Sequence, residues 1–330
     1  MSFSQDLRSR LDLPLIAAPM FLVSGPELVM AECRSGVIGS FPCSNARTPD
    51  ILEEWVGTIA DGQANERRAG RHMAPWSANF VVHATNPRLE AELSILENIR
   101  APIVITALGG PQKIVERVHA WGGKVIADVN SVAFAKKAVQ AGVDGLILVT
   151  AGSGGHTGRM NNFAFVAAVR DFYDGMIAVG GGMSRGSEIR ACEVAGADLA
   201  IMGTAFIATH ESLAEDDYKQ MLIESTIDDL VLTNAVTKVF ANWLRPTLIR
   251  AGIDPELILA NPKIDFSEDE ETQKAKWKTV WSAGHGLGRI SAIESVSEIV
   301  ERLKAEYIRA CELPGLYGSF RPGVAGASAG

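Results

Sequence analysis

Short apolar runs recur along the first two hundred residues of the chain. Two of them share a lead-in, because AGVD at 141–144 precedes LILV and AGAD at 195–198 precedes LAIM. A helix-ending glycine, an acidic turn residue and a continuous apolar run are together typical of a buried parallel strand. The eight runs are LIAA at 15–18, VIGS at 37–40, SANF at 77–80, IVIT at 103–106, VIAD at 125–128, LILV at 146–149, MIAV at 176–179 and LAIM at 199–202.

Helical periodicity fills most of the intervals between these runs, for example at Pro111–Ala120, Ser131–Ala141 and Ser184–Ala195. Apolar strands that alternate with helices are typical of parallel α/β folds. Eight such units predict an α/β fold of the (β/α)8 TIM-barrel type over residues 1–210. A doubly wound open sheet is the alternative, although it usually has fewer strands and a different glycine fingerprint.

The alternation stops after the eighth run, and residues 211–287 are richer in charged residues and tryptophan. Their helical periodicity predicts a mostly helical insertion after strand 8, with a loop-like stretch around 260–271. We expect this insertion to cap the mouth of the barrel, with Trp243 or Trp281 facing the substrate cavity.

Residues 288–330 form the last segment. An amphipathic pattern over Gly288–Cys311 predicts a helix that packs back on the barrel. From Gly315 onward the sequence is rich in glycine, alanine and serine, which predicts a mobile tail.

Charge and cysteine usage exclude several classes of protein. The 330 residues include 31 Lys and Arg against 39 Asp and Glu, a formal net charge of −8. We therefore expect no binding to nucleic acid or to an anionic membrane, because both need clustered basic residues. The four scattered cysteines form no CxxC pair, so neither a metal site nor a disulfide framework is predicted. With no secretory signal and no apolar stretch of membrane-spanning length, we expect a cytoplasmic protein.

Glycines follow the last two predicted barrel strands. The seventh strand leads into IAVGGGMSRG at 177–186, where a helix starting near Ser184 would aim free N–H groups at a ligand. The eighth leads into IMGTAF at 201–206, which places Gly203 and Thr204 at the next helix start. Paired sites after strands 7 and 8 are the usual phosphate cradle of this fold. The sequence therefore predicts a bound phosphate group.

The GSGGHTG run at 152–158 is a weaker nucleotide signal. It does not satisfy GxGxxG, because Thr157 stands at the position of the third glycine, and it lacks the Gly-Lys-Ser/Thr ending of a P-loop. Neither a Rossmann dinucleotide site nor a nucleotide triphosphatase is supported.

The order of these motifs resembles the nitronate monooxygenase family, also called the 2-nitropropane dioxygenase family. AGSGGHTG is followed by VGGGMSRG and then by GADLAIMGTAFIAT, and the N-terminal LPLIAAPM resembles the family's first strand. LVLTNAVTKVFANWLRP and WKTVWSAGHGLG resemble segments of a bacterial branch of the family. The resemblance spans most of residues 13–290.

The resemblance implies FMN as the cofactor. Pro19, Met20 and Phe21 would line the flavin ring, and Asn79 would hydrogen-bond it. The phosphate would lie at Gly181, Gly182, Gly203 and Thr204. Asp128 and Gly155 complete the expected cofactor-binding residues.

His156 is the expected catalytic residue. It follows two glycines at a strand end, so its ring can project into the barrel mouth, and the family's histidine at this place lies in the substrate pocket. It could donate a hydrogen bond or positive charge to a nitronate oxygen, or act as a base on a carbon acid. His285 is a weaker candidate from the insertion. The remaining histidines, all interpreted as structural, are His72, His83, His119 and His210.

The chain also departs from its relatives. Asp128 stands where many members carry Lys or Gln, so the positive charge that a lysine supplies there is missing. Asp128 could contact the cofactor through its backbone, or orient a substrate or His156. Val149 and Thr150 stand where others often carry a polar group that contacts the cofactor.

Two hypotheses for the enzymatic function remain open. The first is oxidation of alkyl nitronates by O2 to carbonyl compounds and nitrite, with neutral nitroalkanes left open as further substrates. The alternative is an NAD(P)H-dependent flavin reductase acting on quinones or enoyl thioesters. An IMP-dehydrogenase-like enzyme is set aside because the GSGGHTG loop has no nucleophilic cysteine, and a non-catalytic flavin- or phosphate-binding protein is a less favoured reading. The expected partners are a small-molecule substrate and O2, and a homodimer is left open.

Overall fold

The computed structural model describes residues 2–83, 85–260 and 279–313. The strands are β1 (Leu15–Ala17), β2 (Gly39–Pro42), β3 (Trp76–Val81), β4 (Ile103–Ala107), β5 (Lys124–Val129), β6 (Gly145–Val149), β7 (Gly155–His156), β8 (Met176–Gly180), β9 (Leu199–Met202), β10 (Leu230–Thr233) and β11 (Ala241–Leu244). The helices are α1 (Phe3–Ser9), α2 (Pro26–Arg34), α3 (Pro49–Arg68), α4 (Leu89–Asn98), α5 (Gln112–Ala120), α6 (Val132–Gln140), α7 (Asn162–Arg170), α8 (Gly186–Val194), α9 (Thr204–Ile207), α10 (Asp216–Glu224), α11 (Arg245–Arg250) and α12 (Val296–Glu312).

Eight parallel strands form a closed barrel in the order β1-β9-β8-β6-β5-β4-β3-β2. A parallel bridge between Ile16 and Ile38 joins the first strand to the second and closes the ring. The (β/α)8 prediction is thereby confirmed. The second strand lies two residues later than predicted, at Gly39–Pro42, because these residues pair with β3.

Serine side chains explain where some helices begin. Ser131 accepts the backbone N–H of Phe134 and so caps α6, which starts one residue after the predicted boundary. Ser295 caps α12 in the same way and forms a reciprocal capping box with Glu298.

Isoleucines fill the inside of the barrel, because side chains alternate between the two faces of a strand. Helix α1 closes the end where the strands begin, and Leu7 on this helix is buried among the interior side chains. The interior cluster consists of Leu7, Ile16, Ile38, Ile103, Ile105, Ile126, Ile147, Met176, Ala178, Leu199 and Ile201.

The opposite end of the barrel is open. On five strands the next interior position toward the carboxyl end is partly accessible, whereas the interior residue before it is buried. The accessible positions are Ala18, Asn79, Ala107, Asp128 and Val149. The barrel therefore has a mouth where active sites of this fold occur.

The described part of 211–287 contains helices α10 and α11 and also two strands, which the helical pattern did not predict. β10 pairs antiparallel with β11, and β11 pairs with β7 in the loop after β6. Runs of four residues are too short to separate strand from helix by periodicity, and here the pairing partner lies far away in sequence. The insertion is thus attached to the mouth through a small sheet.

Trp243 and Trp281 are both buried, so the prediction that one of them faces the substrate cavity is wrong. Trp243 is completely buried in a small core with Val231 and Leu248. Trp281 is 6% exposed and stacks on Tyr218, with the ring centroids 4.9 Å apart. Both indoles serve packing within the insertion and against the barrel.

Helix α12 packs on α8. The predicted loop-like stretch around 260–271, apart from residue 260, and the tail from Gly315 lie outside the described residues. The proposed domain boundaries therefore stay a prediction. Among the helices that the structure describes, none combines the length and apolarity needed to cross a membrane.

Replacing Leu7 with alanine should lower the free energy of unfolding by about 2–5 kcal/mol, because it opens a cavity in the sealed end of the barrel. Urea denaturation would measure this. Leu313→Ala is the matched control, since Leu313 is 73% exposed and its loss should change stability by less than about 0.5 kcal/mol. Equal midpoints for both variants would show that α1 does not support the barrel.

Candidate functional site

The loop after β8 lies directly on the loop after β6. Gly182 donates its N–H to the carbonyl of Gly152 over 2.9 Å, and Thr150 Oγ1 donates to the Gly180 carbonyl over 2.7 Å. Gly181 and Gly182 have φ angles of 133° and 72°, which favour glycine. A Cβ on Gly181 would collide with the side chain of Thr150. The glycines are needed because the two backbones touch.

Helix α8 does not offer free amides as the sequence pattern predicted. It begins at Gly186, and the N–H groups of Ser184 and Arg185 donate to the Glu188 carboxylate. The Gly186 N–H donates to Glu306 of α12 over 2.9 Å. Two carboxylates thus occupy the positive end of the helix dipole. The Gly182 amide, expected at the phosphate, is likewise engaged by Gly152.

The end of β9 packs closely on the residues after β1 and forms the second part of the expected phosphate cradle. A Cβ on Gly203 would lie 3.2 Å from Met20 Sδ and 3.3 Å from Ala18 Cβ, so glycine lets the chain pass close to the residues after β1. Helix α9 starts at Thr204, and the first amides of a helix have no partner within it. Gly181, Gly203 and Thr204 are all partly accessible. These residues fit a phosphate-bearing group such as FMN.

The segment 283–286 crosses the same loops from the insertion. His285 donates its N–H to the Gly152 carbonyl over 3.0 Å, and Gly284 donates to Thr204 Oγ1 over 2.9 Å. The exposed His285 has its Cβ beside Gly182. His285 therefore lies beside the glycine loops, where the sequence had indicated it only weakly.

The loop after β1 is held by a residue that sequence reasoning missed. Asn45 donates from Nδ2 to the carbonyls of Met20 and Ser24, over 2.9 and 2.7 Å, and accepts the Leu22 N–H over 2.9 Å. The expected ring-lining residues Pro19, Met20 and Phe21 are partly accessible in this loop. Asn45 belongs to no motif, so no sequence signal marked it.

Asn79 and Asp128 project from the inner face of the barrel into the mouth. Asn79 donates weakly from Nδ2 to the Ile105 carbonyl over 3.4 Å. Asp128 lies on the inner face of β5 and is partly accessible from the mouth. Removal of water by the surrounding barrel raises the pKa of the Asp128 carboxyl to about 7.

His156 forms part of the small sheet. Its backbone is paired with Ala241 of β11, and its ring nitrogen Nε2 lies 3.2 Å from Thr237 Oγ1. Burial lowers the pKa of the His156 imidazole to about 4, so the ring is neutral at pH 7. Gly155 precedes it with a φ of 64° and pairs with Asn242.

Asn242 is a second residue that no motif indicated. It donates from Nδ2 to the carbonyls of Ala151 and Ser153, over 3.0 and 2.7 Å. The insertion therefore fixes the glycine loop that carries His156.

All of the predicted site residues lie at the mouth end of the barrel, in the loops after β1, β6, β8 and β9 or at the ends of β3 and β5. They bring together glycine cradles, an amide, a carboxyl group with a raised pKa and a neutral imidazole. Among the described residues no group of three or more His, Cys, Asp or Glu side chains could hold a metal ion.

Asp128→Asn should stabilise the protein above pH 7. The raised pKa means that the folded state holds the proton more tightly than the unfolded chain, so wild-type stability falls as pH rises from about 4 to 7. Melting temperatures of flavin-free protein should be higher for the variant at pH 8 and converge near pH 4. Asp174→Asn, at an exposed position between α7 and β8, is the control. Parallel pH curves for wild type and Asp128→Asn would contradict this assignment.

Known proteins match this chain in sequence. The nitronate monooxygenase family model covers residues 6–306. A (3aS,4S,5R,7aS)-5-hydroxy-7a-methyl-1-oxo-octahydro-1H-indene-4-carboxyl-CoA dehydrogenase of Mycobacterium tuberculosis is 26% identical over 72% of this chain, and the match spans only 64% of that protein. A nitronate monooxygenase of Paraburkholderia phytofirmans is 23% identical over 74% of this chain and 77% of its own length.

Solved structures match the fold. The nitroalkane oxidase from Streptomyces ansochromogenes superposes with a TM-score of 0.77 at 24% identity, covering 92% of this chain and 99% of that one. FabK from Thermotoga maritima gives a TM-score of 0.76 at 23% identity, covering 94% and 97%. At these identities the likeness shows the barrel fold. Because the family model covers nearly the whole chain, the protein belongs to the nitronate monooxygenase family, whose members are flavin-dependent oxidoreductases.

Proposed function

We propose that this chain is an FMN-dependent enzyme that oxidises alkyl nitronates with O2 to carbonyl compounds and nitrite. The observation that carries the proposal is the neutral, half-buried His156 at the barrel mouth, within the loop that packs on the glycines after β8. Family membership supports the reaction class. FMN, when bound, supplies the electron-accepting ring, and the chain supplies binding, orientation and proton handling.

Two groups of residues would contact FMN. Gly181, Gly203 and Thr204 would hold the phosphate, because their backbone is accessible and free of bulky side chains. Asn79 and Asp128 would face polar edges of the ring from the inner wall of the barrel. With a pKa of about 7, the Asp128 carboxyl can be protonated near neutral pH and can then donate a hydrogen bond to the ring. In family members that carry a lysine at this position, the lysine would interact with the ring through its positive charge.

His156 is suited to accept a proton or to donate a neutral hydrogen bond. Its lowered pKa makes a full positive charge unavailable at pH 7, so it cannot attract a nitronate as an imidazolium would. A neutral imidazole can take the acidic proton from the carbon of a neutral nitroalkane. We therefore include nitroalkanes among the proposed substrates.

A second candidate is a reductase or dehydrogenase acting on quinones or on enoyl and related thioesters, with NAD(P)H as electron donor. The name of the Mycobacterium tuberculosis relative, a carboxyl-CoA dehydrogenase, favours the thioester version of this alternative. Oxygen uptake and nitrite release with ethylnitronate, set against NADH oxidation with a quinone or an enoyl thioester, would separate the two.

Gly203→Val should reduce the amount of FMN that copurifies with the protein. Its side chain would fill the space beside Met20 Sδ and Ala18 Cβ, while the backbone of Gly203, with φ near −111°, accepts a side chain without strain. Gly57→Val is the control, because a Cβ at Gly57 meets no atom within 4 Å. Visible absorbance per protein would report the loss. A full flavin content in Gly203→Val would remove this cradle from the site.

His156→Ala should lower kcat/KM per bound flavin by roughly one to two powers of ten with ethylnitronate, as expected for one lost hydrogen bond to an anion. With nitroethane the loss should be larger, about 10²–10⁴-fold, because a general base is removed. Flavin content and melting temperature should stay near those of wild type. His72→Ala, on the exposed surface, should be indistinguishable from wild type. Unchanged turnover in His156→Ala would exclude it from catalysis.

A further inference from the structure

Formal charges are distributed unevenly between the two ends of the barrel. At the mouth, the connections that follow the eight barrel strands contain no Asp or Glu, although the whole chain has a formal net charge of −8. These connections are 18–25, 43–48, 82–88, 108–111, 130–131, 150–161, 181–185 and 203, and their arginines are Arg47, Arg88, Arg159 and Arg185. The connections at the opposite end carry Asp12, Asp144, Asp171, Asp174 and Asp198 against Arg10, Arg71 and Arg100. The loops around the mouth are therefore positively charged in an otherwise acidic protein.

Arg159 lies in the same loop as His156, three residues further along the chain. This exposed residue has its guanidinium carbon 5.0 Å from the ring centroid of Phe240, which is a cation–π contact. With the residues that the structure describes, Arg159 forms no hydrogen bond and no ion pair. Stacking occupies one face of the planar guanidinium and leaves the N–H groups on its edge available to a ligand. Arg159 is thus a positioned cation that can bind an anion.

Backbone hydrogen bonds hold the chain on both sides of this arginine. The Phe240 carbonyl accepts the N–H of Thr157, the residue after His156, over 3.1 Å. On the other side, the Met160 carbonyl accepts the Ala151 N–H over 2.9 Å. The stacked guanidinium and the His156 backbone are therefore attached to the same segment of β11 and its hairpin.

A nitronate is an anion, so positive charge at the mouth would attract it. His156 does not supply this charge at pH 7, because burial lowers the pKa of its imidazole to about 4. Asp128, on the inner wall of the mouth, repels an anion when its carboxyl is ionised. The cations next to the His156 loop are Arg159 and Lys238, which precedes Phe240 by two residues.

We propose that Arg159 is a specificity-determining residue whose guanidinium attracts anionic substrates to the mouth of the barrel. A neutral substrate of the same shape is not attracted. This inference rests on the proposed function and assigns the recognition of substrate charge to a residue outside the flavin cradle. Attraction by an exposed charge acts on the capture of the substrate, so it raises kcat/KM and leaves kcat unchanged.

The test replaces Arg159 with Gln, which removes the charge, and with Lys, which keeps it. For Arg159→Gln at about 0.01 M ionic strength, kcat/KM with ethylnitronate should fall roughly two- to fivefold, as for one exposed ionic interaction. The difference from wild type should disappear at about 1 M salt, where charges are screened beyond about 3 Å. With nitroethane, kcat/KM should not change at either salt concentration. Arg159→Lys should resemble wild type with both substrates.

Arg100→Gln is the matched control, because it removes the same charge from an exposed position between α4 and β4, at the opposite end of the barrel. It should behave as wild type with both substrates. The proposal is overturned if Arg159→Gln keeps the wild-type kcat/KM for ethylnitronate at low salt, or if nitroethane is affected by the same factor. A loss in Arg159→Lys or in Arg100→Gln equal to that in Arg159→Gln would also overturn it.

Binding of an unreactive anion tests the inference independently of turnover. Butyrate and butyramide are similar in shape and differ in charge, and saturation-transfer difference NMR with the holoenzyme gives a dissociation constant for each. At low salt Arg159→Gln should weaken butyrate binding roughly two- to fivefold and leave butyramide binding unchanged. Equal butyrate binding in wild type and Arg159→Gln overturns the inference. If wild type oxidises neither nitro compound, the proposed function fails, while a selective loss of butyrate binding still supports the role of Arg159.

Discussion

Direct contact between backbones, with no side chains in between, is the constraint on which the mouth of this barrel depends. One carbonyl, that of Gly152, accepts N–H groups from Gly182 and from His285, and so joins three segments that are distant in sequence. A Cβ on Gly152 would meet the backbone of Gly182 at 2.7 Å, and a Cβ on Gly284 would meet the Gly152 carbonyl at 2.6 Å. Glycine is required at these crossings because any side chain would separate the segments that form the site.

Residues of the insertion contact the loops of the candidate site directly. Asn242 fixes the carbonyls on either side of Gly152, and Thr237 fixes the ring of His156. Residues outside the repeating βα units thus set the geometry of a loop within them. Contacts between the barrel and residues 230–244 therefore help to set the geometry of the candidate site.

The sequence was sufficient to predict the barrel, because each strand is a local apolar run and each helix a local periodicity. The sequence also predicted that Gly203, Asn79 and His156 lie at the mouth, because all parallel strands of a barrel end on the same side. Interactions between residues distant in sequence could not be predicted. Glu306 reaches the start of α8 across 120 residues, and the β7–β11 pairing joins segments about 85 residues apart. Composition alone did not reveal that Trp243 is buried in a local core.

Helix α1, which closes the bottom of the barrel, can complete its packing only late in synthesis. Leu7 of α1 shares its cluster with Ile201 of the last barrel strand, yet it leaves the ribosome nearly two hundred residues earlier. At translation rates of about 5–20 residues per second, roughly 10–40 s separate the two. A seven-residue helix is marginal by itself, so the capping box of Ser2 and Gln5 can give it only local order in that interval. Helix α1 therefore obtains its complete binding partner only after the last barrel strand has been synthesised.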